Sequence, residues 1–213
     1  MMDKTIELNI FTNCHASSPS IEVVKNTYDS FVKTFGEIST TIYCDIHPHK
    51  ERSSDYIKNL SQIFPSVIHT DSLSDGYIKS IKNSESDYLF QLEGDWEFNT
   101  NIKHSLKEIT EVMSQIGIYH FRFNKRSNII AGWDKRMDES EFNGLKYCSS
   151  NNMSNNPHII DVKKYKFDLI HKIRLSQGSK GIEEELNKYN LTSCLYGGAG
   201  YEPTVIHTDG KHL

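Results

Sequence analysis

The sequence predicts an α/β domain on a mixed, mainly parallel sheet, and two observations carry that expectation. Three strand-helix units follow one another from the N-terminus, and a fourth, apolar strand then runs straight into a cluster of acids. Strand, crossover helix and next strand pack back onto one sheet as parallel neighbours, with ligands at the carboxyl ends of the strands. A chain of 213 residues suffices for one substantial core, so one domain is expected over residues 1–213.

Residues 5–11, TIELNIF, alternate and then run apolar before the polar cluster TNCHASSPS, which reads as a strand entering a loop. From Ser20, Ile21, Val24, Tyr28, Phe31 and Val32 recur at helical spacing, and Gly36 supplies a stop. A second strand, TTIYCDI, carries Asp45 near its end. Residues 49–64 repeat the helical pattern through Tyr56, Ile57, Leu60 and Ile63, ahead of Pro65 and the short strand SVIHT. A further helix begins near Ser74, and DYLFQL at 87–92 has the apolar run of a buried strand. Residues 101–115 predict an amphipathic helix, and GIYHFRF from Gly117 a strand whose polar face carries His120 and Arg122. Beyond Asn124, NIIAGW, HIIDV and PTVIH are strand-like and KGIEEELNKY is a short helix. Residues 1–98 thus form a Rossmann-like, nucleotide-binding half, and residues 99–213 an acceptor-side half.

Composition narrows the classes of function. With 37% hydrophobic and 24% charged residues and no repeat, disorder and solenoid architectures are excluded. A net charge of -4 offers no general field for a nucleic-acid backbone. MMDKTIELNIF is too short and too polar for a signal peptide, and no stretch approaches the roughly 20 apolar residues of a membrane span. Cys14, Cys44, Cys148 and Cys194 are scattered without a CxxC pair, which predicts buried thiols rather than a zinc ribbon or a disulfide framework. A cytoplasmic protein is expected, without nucleic acid or a membrane span.

The segment SESDYLFQLEGDWEF carries the chemistry. Glu93, Asp95 and Glu97 follow the strand directly and face the ligand crevice. A sugar nucleotide leaves as a diphosphate whose charge must be neutralised, and Mn²⁺ or Mg²⁺ held by a few carboxylate oxygens does this. Gly94 between the acids would let backbone approach a ligand closely. The same acids also suit an ordinary strand-to-helix turn.

A strand ending in acid-x-acid-Trp-Glu-Phe resembles the DxD region of the GT-A glycosyltransferases, which holds the metal and the donor diphosphate. Glu93 stands where Asp is usual, leaving Glu93, Asp95 and Glu97 as alternative direct ligands, with Asp95 favoured. The resemblance implies a GT-A-like single domain and further site residues. Asp75-Gly76-Tyr77 opens the helix that contacts nucleotide and donor sugar, with Lys79 and Lys82 as phosphate partners; an exposed helix face is their ordinary alternative. Phe11, Thr12 and Asn13 are placed to cradle base and ribose, and Asp45 to meet one of them, though Thr, Asn and Asp also cap loops. The late Tyr196-Gly197-Gly198-Ala199-Gly200-Tyr201 run, followed by His207 and Lys211, resembles the family's His-x-x-Gly element, in which histidine completes the metal site. The order of these motifs is similar to glycosyltransferase domains of large algal viruses, which implies a host-cytoplasmic protein and one module of a longer enzyme.

An inverting transfer needs a carboxylate base. Glu184, within the run Glu183-Glu184-Glu185, is one candidate and Asp134 another, with Trp133 beside it to stack on an acceptor sugar. The expected reaction moves a hexose or deoxyhexose from a UDP-sugar to a hydroxyl of a glycan or glycoprotein. A nucleotidyltransferase is the nearest catalytic alternative, although TNCHASSPS lacks its basic, glycine-rich loop; a silent nucleotide- or glycan-binding domain is the other.

Overall fold

The computed structural model describes residues 4–14, 20–46, 50–131, 134, 137–173, 181–189 and 191–208, with residues 50–53 as backbone. The first half alternates as expected: β1 (Ile6–Asn13), α1 (Ile21–Phe35), β2 (Thr40–Asp45), α2 (Lys50–Ile63), β3 (Val67–Thr70), α3 (Leu73–Asn83) and β4 (Tyr88–Glu93). Then come β5 (Trp96–Phe98), α4 (Leu106–Ile116), β6 (His120–Arg122), β7 (Asp138–Phe142), β8 (Leu145–Ser150), β9 (His158–Asp161) and α5 (Val162–Lys164), which continues as a π-helical turn over Tyr165–Leu169. α6 (Ile182–Leu186), β10 (Ser193–Tyr196) and β11 (Val205–His207) complete the described chain.

One nine-stranded sheet, in the order β3-β2-β1-β4-β9-β6-β10-β8-β7, draws strands from both halves. β3, β2, β1 and β4 are parallel neighbours, while β9 and β8 run against the rest. The sheet is therefore the mixed, mainly parallel one predicted. β5 and β11 form a separate antiparallel ribbon.

Strand alternation divides the core into two layers. Leu8, Ile10, Ile42, Phe90 and Leu92 pack toward α1 and its neighbours, whereas Phe11, Tyr43, Tyr77, Leu89, Ile160 and Leu186 fill the opposite face. In the first layer Phe90 meets Phe31 edge-on at 5.0 Å and stacks on Phe123 at 5.3 Å, tying α1 to the central strands. Ser20 caps α1 through its side chain, and Gly36 closes the helix at φ 86°, a backbone that suits glycine. All four cysteines are buried and no disulfide joins them. No described helix is long and apolar enough to cross a membrane.

The second half departs from expectation in local detail. The helix expected from residue 101 begins at Leu106, because Ser105 and Glu108 form a capping box while the Asn101 amide is held by the Pro203 carbonyl at 2.9 Å. Of NIIAGW, the described residues 128–131 form a loop rather than a strand, with one isolated bridge, Ala131 to Asp134. There the Asn128 amide donates to the carbonyls of Tyr196, Gly197 and Gly198, leaving Ile129 and Ile130 exposed. A hairpin, β7-β8, turns at Asn143-Gly144 with φ of 51° and 81°, the left-handed pair of a tight hairpin turn. His120 and Arg122 do share one face of β6, but that face is fully buried.

Phe90→Ala is expected to destabilise the fold by about 3–5 kcal/mol, since the cavity would open between two packed layers. Urea unfolding measures this; a loss under about 1 kcal/mol would show that the aromatic cluster is not a core.

Candidate metal and nucleotide site

The position of the site follows from strand register. Phe11 pairs with Glu93 and Asn13 with Asp45, so the carboxyl ends of β1, β2 and β4 meet at one edge. Phe11, Tyr43, Asp45, Gln91 and Glu93 fall on one face by the two-residue alternation of a strand. Phe11, Asp45, Gln91 and Glu93, with Ser72, Tyr77 and His158, line a cleft of about 340 Å³, a volume within the range of small-molecule sites.

At the lip of this cleft the chain turns from β4 into β5. The Gly94 N–H continues the ladder to the Phe11 carbonyl at 2.8 Å, and a side chain at 94 would come 3.1 Å from Val24. The absence of a side chain at Gly94 therefore serves packing against α1. β11 returns beside β5 and pairs His207 with Trp96. Both the backbone N–H and the hydroxyl of Thr208 donate to the Asp95 carbonyl at 2.8 Å, fixing the two segments together.

The result is a cluster in which ligand atoms of Glu93, Asp95 and His207 lie within 4.8 Å of one another. His207 Nε2 is 3.2 Å from Asp95 Oδ2, and its ring packs on Trp96 at 4.4 Å. Glu97 lies beyond, opposite Ile206, and is not part of the cluster. Two carboxylates and an imidazole are a donor set suited to a divalent cation, with positions left for phosphate oxygens and water. Burial, then the charges of Asp95 and Glu183, push the Glu93 carboxyl up to about 7; the Trp96 indole N–H and the Lys125 ammonium pull the other way. Lys125, which the sequence reading passed over, stands 5.9 Å from the Trp96 ring.

The remaining candidates divide. Asp45 is buried at the cleft wall, and Phe11 stacks on Tyr43 at 5.5 Å. Thr12 faces the other side of the sheet and bonds the Tyr56 hydroxyl at 2.8 Å, because it is one residue out of phase with Phe11. Asn13 ends β1, partly buried, at this same edge. Asp75 and Lys79 pair with each other at 2.6 Å on α3, and Gly76 lets α3 approach Thr70 and Tyr43, where a Cβ would stand 3.3 Å from each. None of Asp75, Gly76 and Lys79 lines the cleft; Ser72, Leu73, Ser74 and Tyr77 of the same helix end do. Gly197 and Gly198 accommodate the protein's own Tyr201 ring and Glu139 carboxylate. Lys211 and Trp133 lie outside the described residues.

The two candidate bases are placed differently from expectation. Glu184 is exposed and does not line the cleft, whereas its neighbour Glu183 accepts the Asn155 N–H and is the acid whose charge reaches Glu93. Asp134 is buried against Arg122 at 2.8 Å and accepts the Ser150 hydroxyl at 2.8 Å. Burial raises its carboxyl, but Arg122 and Ser150 outweigh that and hold it below the usual range, which makes it a poor proton acceptor.

Behind the cleft lies a buried polar layer, of which the sequence showed only His120 and Arg122. Gln91, His158 and Arg122 form one cross-strand row over β4, β9 and β6. His158 Nδ1 donates to the Asn156 carbonyl at 2.7 Å, so Nε2 accepts the Tyr77 hydroxyl at 3.0 Å. His120 stacks on it at 4.0 Å, donating from Nε2 to the Ser154 carbonyl and accepting from Tyr165. Burial pushes His158 down to about 3 and His120 well below its usual value, so both are neutral spacers.

No protein-family model and no curated protein matches the sequence. Among solved structures, the chain is similar to a UDP-glucose pyrophosphorylase complexed with UDP-glucose, with a TM-score of 0.53 over 96% of this chain and 94% of that one, at 9% identity. That likeness is one of fold, and it agrees with the Rossmann-like α/β sheet described above.

With its carboxyl near 7, Glu93 is about half protonated at neutral pH, so cation binding there expels on the order of half a proton. In the metal-free protein this group favours folding most below its ordinary value of 4.5, and the contribution fades as pH rises through about 7. Mn²⁺ affinity should accordingly rise between pH 6 and 8. Calorimetry in buffers of different ionisation enthalpy counts the protons; equal release from Glu93→Gln would remove Glu93 from the ligand set.

Proposed function

We propose that the chain is a divalent-metal-dependent glycosyltransferase that moves a hexose or deoxyhexose from a UDP-sugar to a hydroxyl of a glycan or glycoprotein. The observation that carries this reading is the convergence of Glu93, Asp95 and His207 at the lip of the cleft, on elements brought together from the middle and the late part of the chain. The resemblance of this region to the metal and diphosphate element of GT-A enzymes supports it.

Mn²⁺ or Mg²⁺ held here supplies charge neutralisation for the departing diphosphate. The protein's residues do the rest. Phe11 and Asp45 present an aromatic face and a carboxylate to base and ribose, and the Ser72–Tyr77 end of α3 forms the opposite wall. Lys125 adds a positive charge beside the acids. Glu183, rather than Glu184 or Asp134, takes the place of candidate base, since it alone of the three adjoins Glu93.

A second reading, nucleotidyl transfer, is favoured by the likeness to UDP-glucose pyrophosphorylase. It predicts formation of UDP-sugar from UTP and a sugar 1-phosphate, whereas glycosyl transfer predicts UDP release from a UDP-sugar.

Calorimetric titration with UDP and with GDP, each with Mn²⁺ and with EDTA, tests the reading. Binding of UDP that needs Mn²⁺, exceeds that of GDP and falls at least tenfold in Asp95→Ala/His207→Ala is expected. Binding unchanged by EDTA or by the double substitution would sink the metal assignment.

A further inference from the structure

A second pocket, of about 80 Å³, opens beside the donor cleft and is lined by Arg122, Lys125, Arg126, Asp134, Asn152 and Asn156 among others. We propose that it binds an anionic group, a carboxylate or a phosphate, carried by the sugar acceptor. The proposal rests on the transferase reading for the word acceptor, but the pocket's preference for an anion stands on its own chemistry.

Charge gives the first argument. Residues 122–136 hold five basic side chains and one acid, in a chain whose net charge is -4. Arg122 is 1% exposed, and Asp134 neutralises it through a 2.8 Å pair. Its Nε, also buried, has no partner among the described residues. Asp134 is the one acid among the lining residues, so Lys125 and Arg126, both exposed at the rim, are cations in excess of it. A buried guanidinium backed by two exposed cations suits an oxyanion and repels a cation.

Size and position give the second. At roughly 30 Å³ per water, the pocket displaces about two or three waters, room for a carboxylate or phosphate but not for a whole sugar. Its shape is fixed from within: the Asn124 amide donates to the carbonyls of Arg126, Tyr201 and Glu202, and that of Asn128 to three carbonyls of residues 196–198. Residues 152–156 form a wall shared with the donor cleft, where Asn155 looks the other way. Asn187 clamps that wall by bonding both the N–H and the carbonyl of Met153, at 2.8 and 2.7 Å. A broader groove of about 800 Å³ shares Lys125 with this pocket and includes His207 of the metal cluster, which leaves room for the rest of an acceptor.

The test is an amide NMR titration of the full chain in EDTA with glucuronate, glucose 6-phosphate and glucose. Saturable shifts at residues 124–127 and 152–156 with either anionic sugar and none with glucose are expected, weakening as salt is raised. Arg126→Gln, and separately Asn152→Leu, which fills the pocket without changing charge, should each weaken binding at least tenfold while Mn²⁺-dependent UDP binding stays at its wild-type level. Equal shifts with glucose, no saturable shift, or wild-type affinity in both variants would overturn the proposal. A response to glucuronate alone or to glucose 6-phosphate alone names which anion is taken. If UDP fails to bind but the anionic sugars still do, the transferase reading falls and the anion pocket stands.

Discussion

The pairing of β1 with β4 sets the position of nearly every side chain at the site. Because Phe11 lies opposite Glu93, the parity of both strands is fixed together, and Gln91, Glu93, Tyr43 and Asp45 are carried onto the same face as α3. A slip of one residue would turn the Glu93 side chain into the aromatic layer beneath α1 and the Leu92 side chain toward the cleft. Leu8 and Ile10 of β1 and Phe90 and Leu92 of β4, all at 0% exposure, make that slip prohibitively unfavourable. The core thus specifies the site through register.

On that frame the chain gathers negative charge where it would otherwise be avoided. Burial first, and then the charges of Asp95 and Glu183, keep Glu93 partly protonated near neutrality. Two unit charges about 5 Å apart repel by on the order of 3 kcal/mol at an effective dielectric near 20, an expense that a bound divalent cation reverses in sign. The Arg122–Asp134 pair is the opposite case. There a carboxylate is matched by a guanidinium and a hydroxyl, and its proton affinity falls instead of rising. A carboxylate matched by a guanidinium therefore sits on one side of residues 152–156 and a group of acids gathered beside one another on the other, and the contrast separates a structural carboxylate from those placed for a ligand.

The alternating half was legible in the sequence because its signals are local: periodicity, the Ser20 cap, Gly36 and the apolar run before Glu93. The acidic turn and His207 could be named, yet their meeting depends on the β5-β11 ribbon, whose three-residue strands carry little pattern of their own. Thr12 was misplaced by treating consecutive residues as equivalent, when parity sends it to Tyr56. Gly76 and Gly94 both serve helix-sheet contact, a role that only neighbouring atoms reveal. The β7-β8 hairpin did have a signal, Asn143-Gly144 between alternating residues, obscured by the charged strand Asp138–Phe142. Of the buried histidine row only His120 showed, as part of a polar strand face; its stacking on His158 did not, since the partners Tyr77, Tyr165 and Ser154 lie 34 to 81 positions away in sequence.

The central claim is that Glu93, Asp95 and His207 seat one divalent cation that also holds a nucleoside diphosphate. Anomalous diffraction at the manganese edge from crystals grown with Mn²⁺ and UDP tests it most directly. The account predicts one strong peak in coordination range of all three side chains, with UDP running from that ion into the cleft beside Phe11 and Asp45. An ion bound elsewhere, or UDP bound in the cleft with no ion at the three side chains, would contradict it.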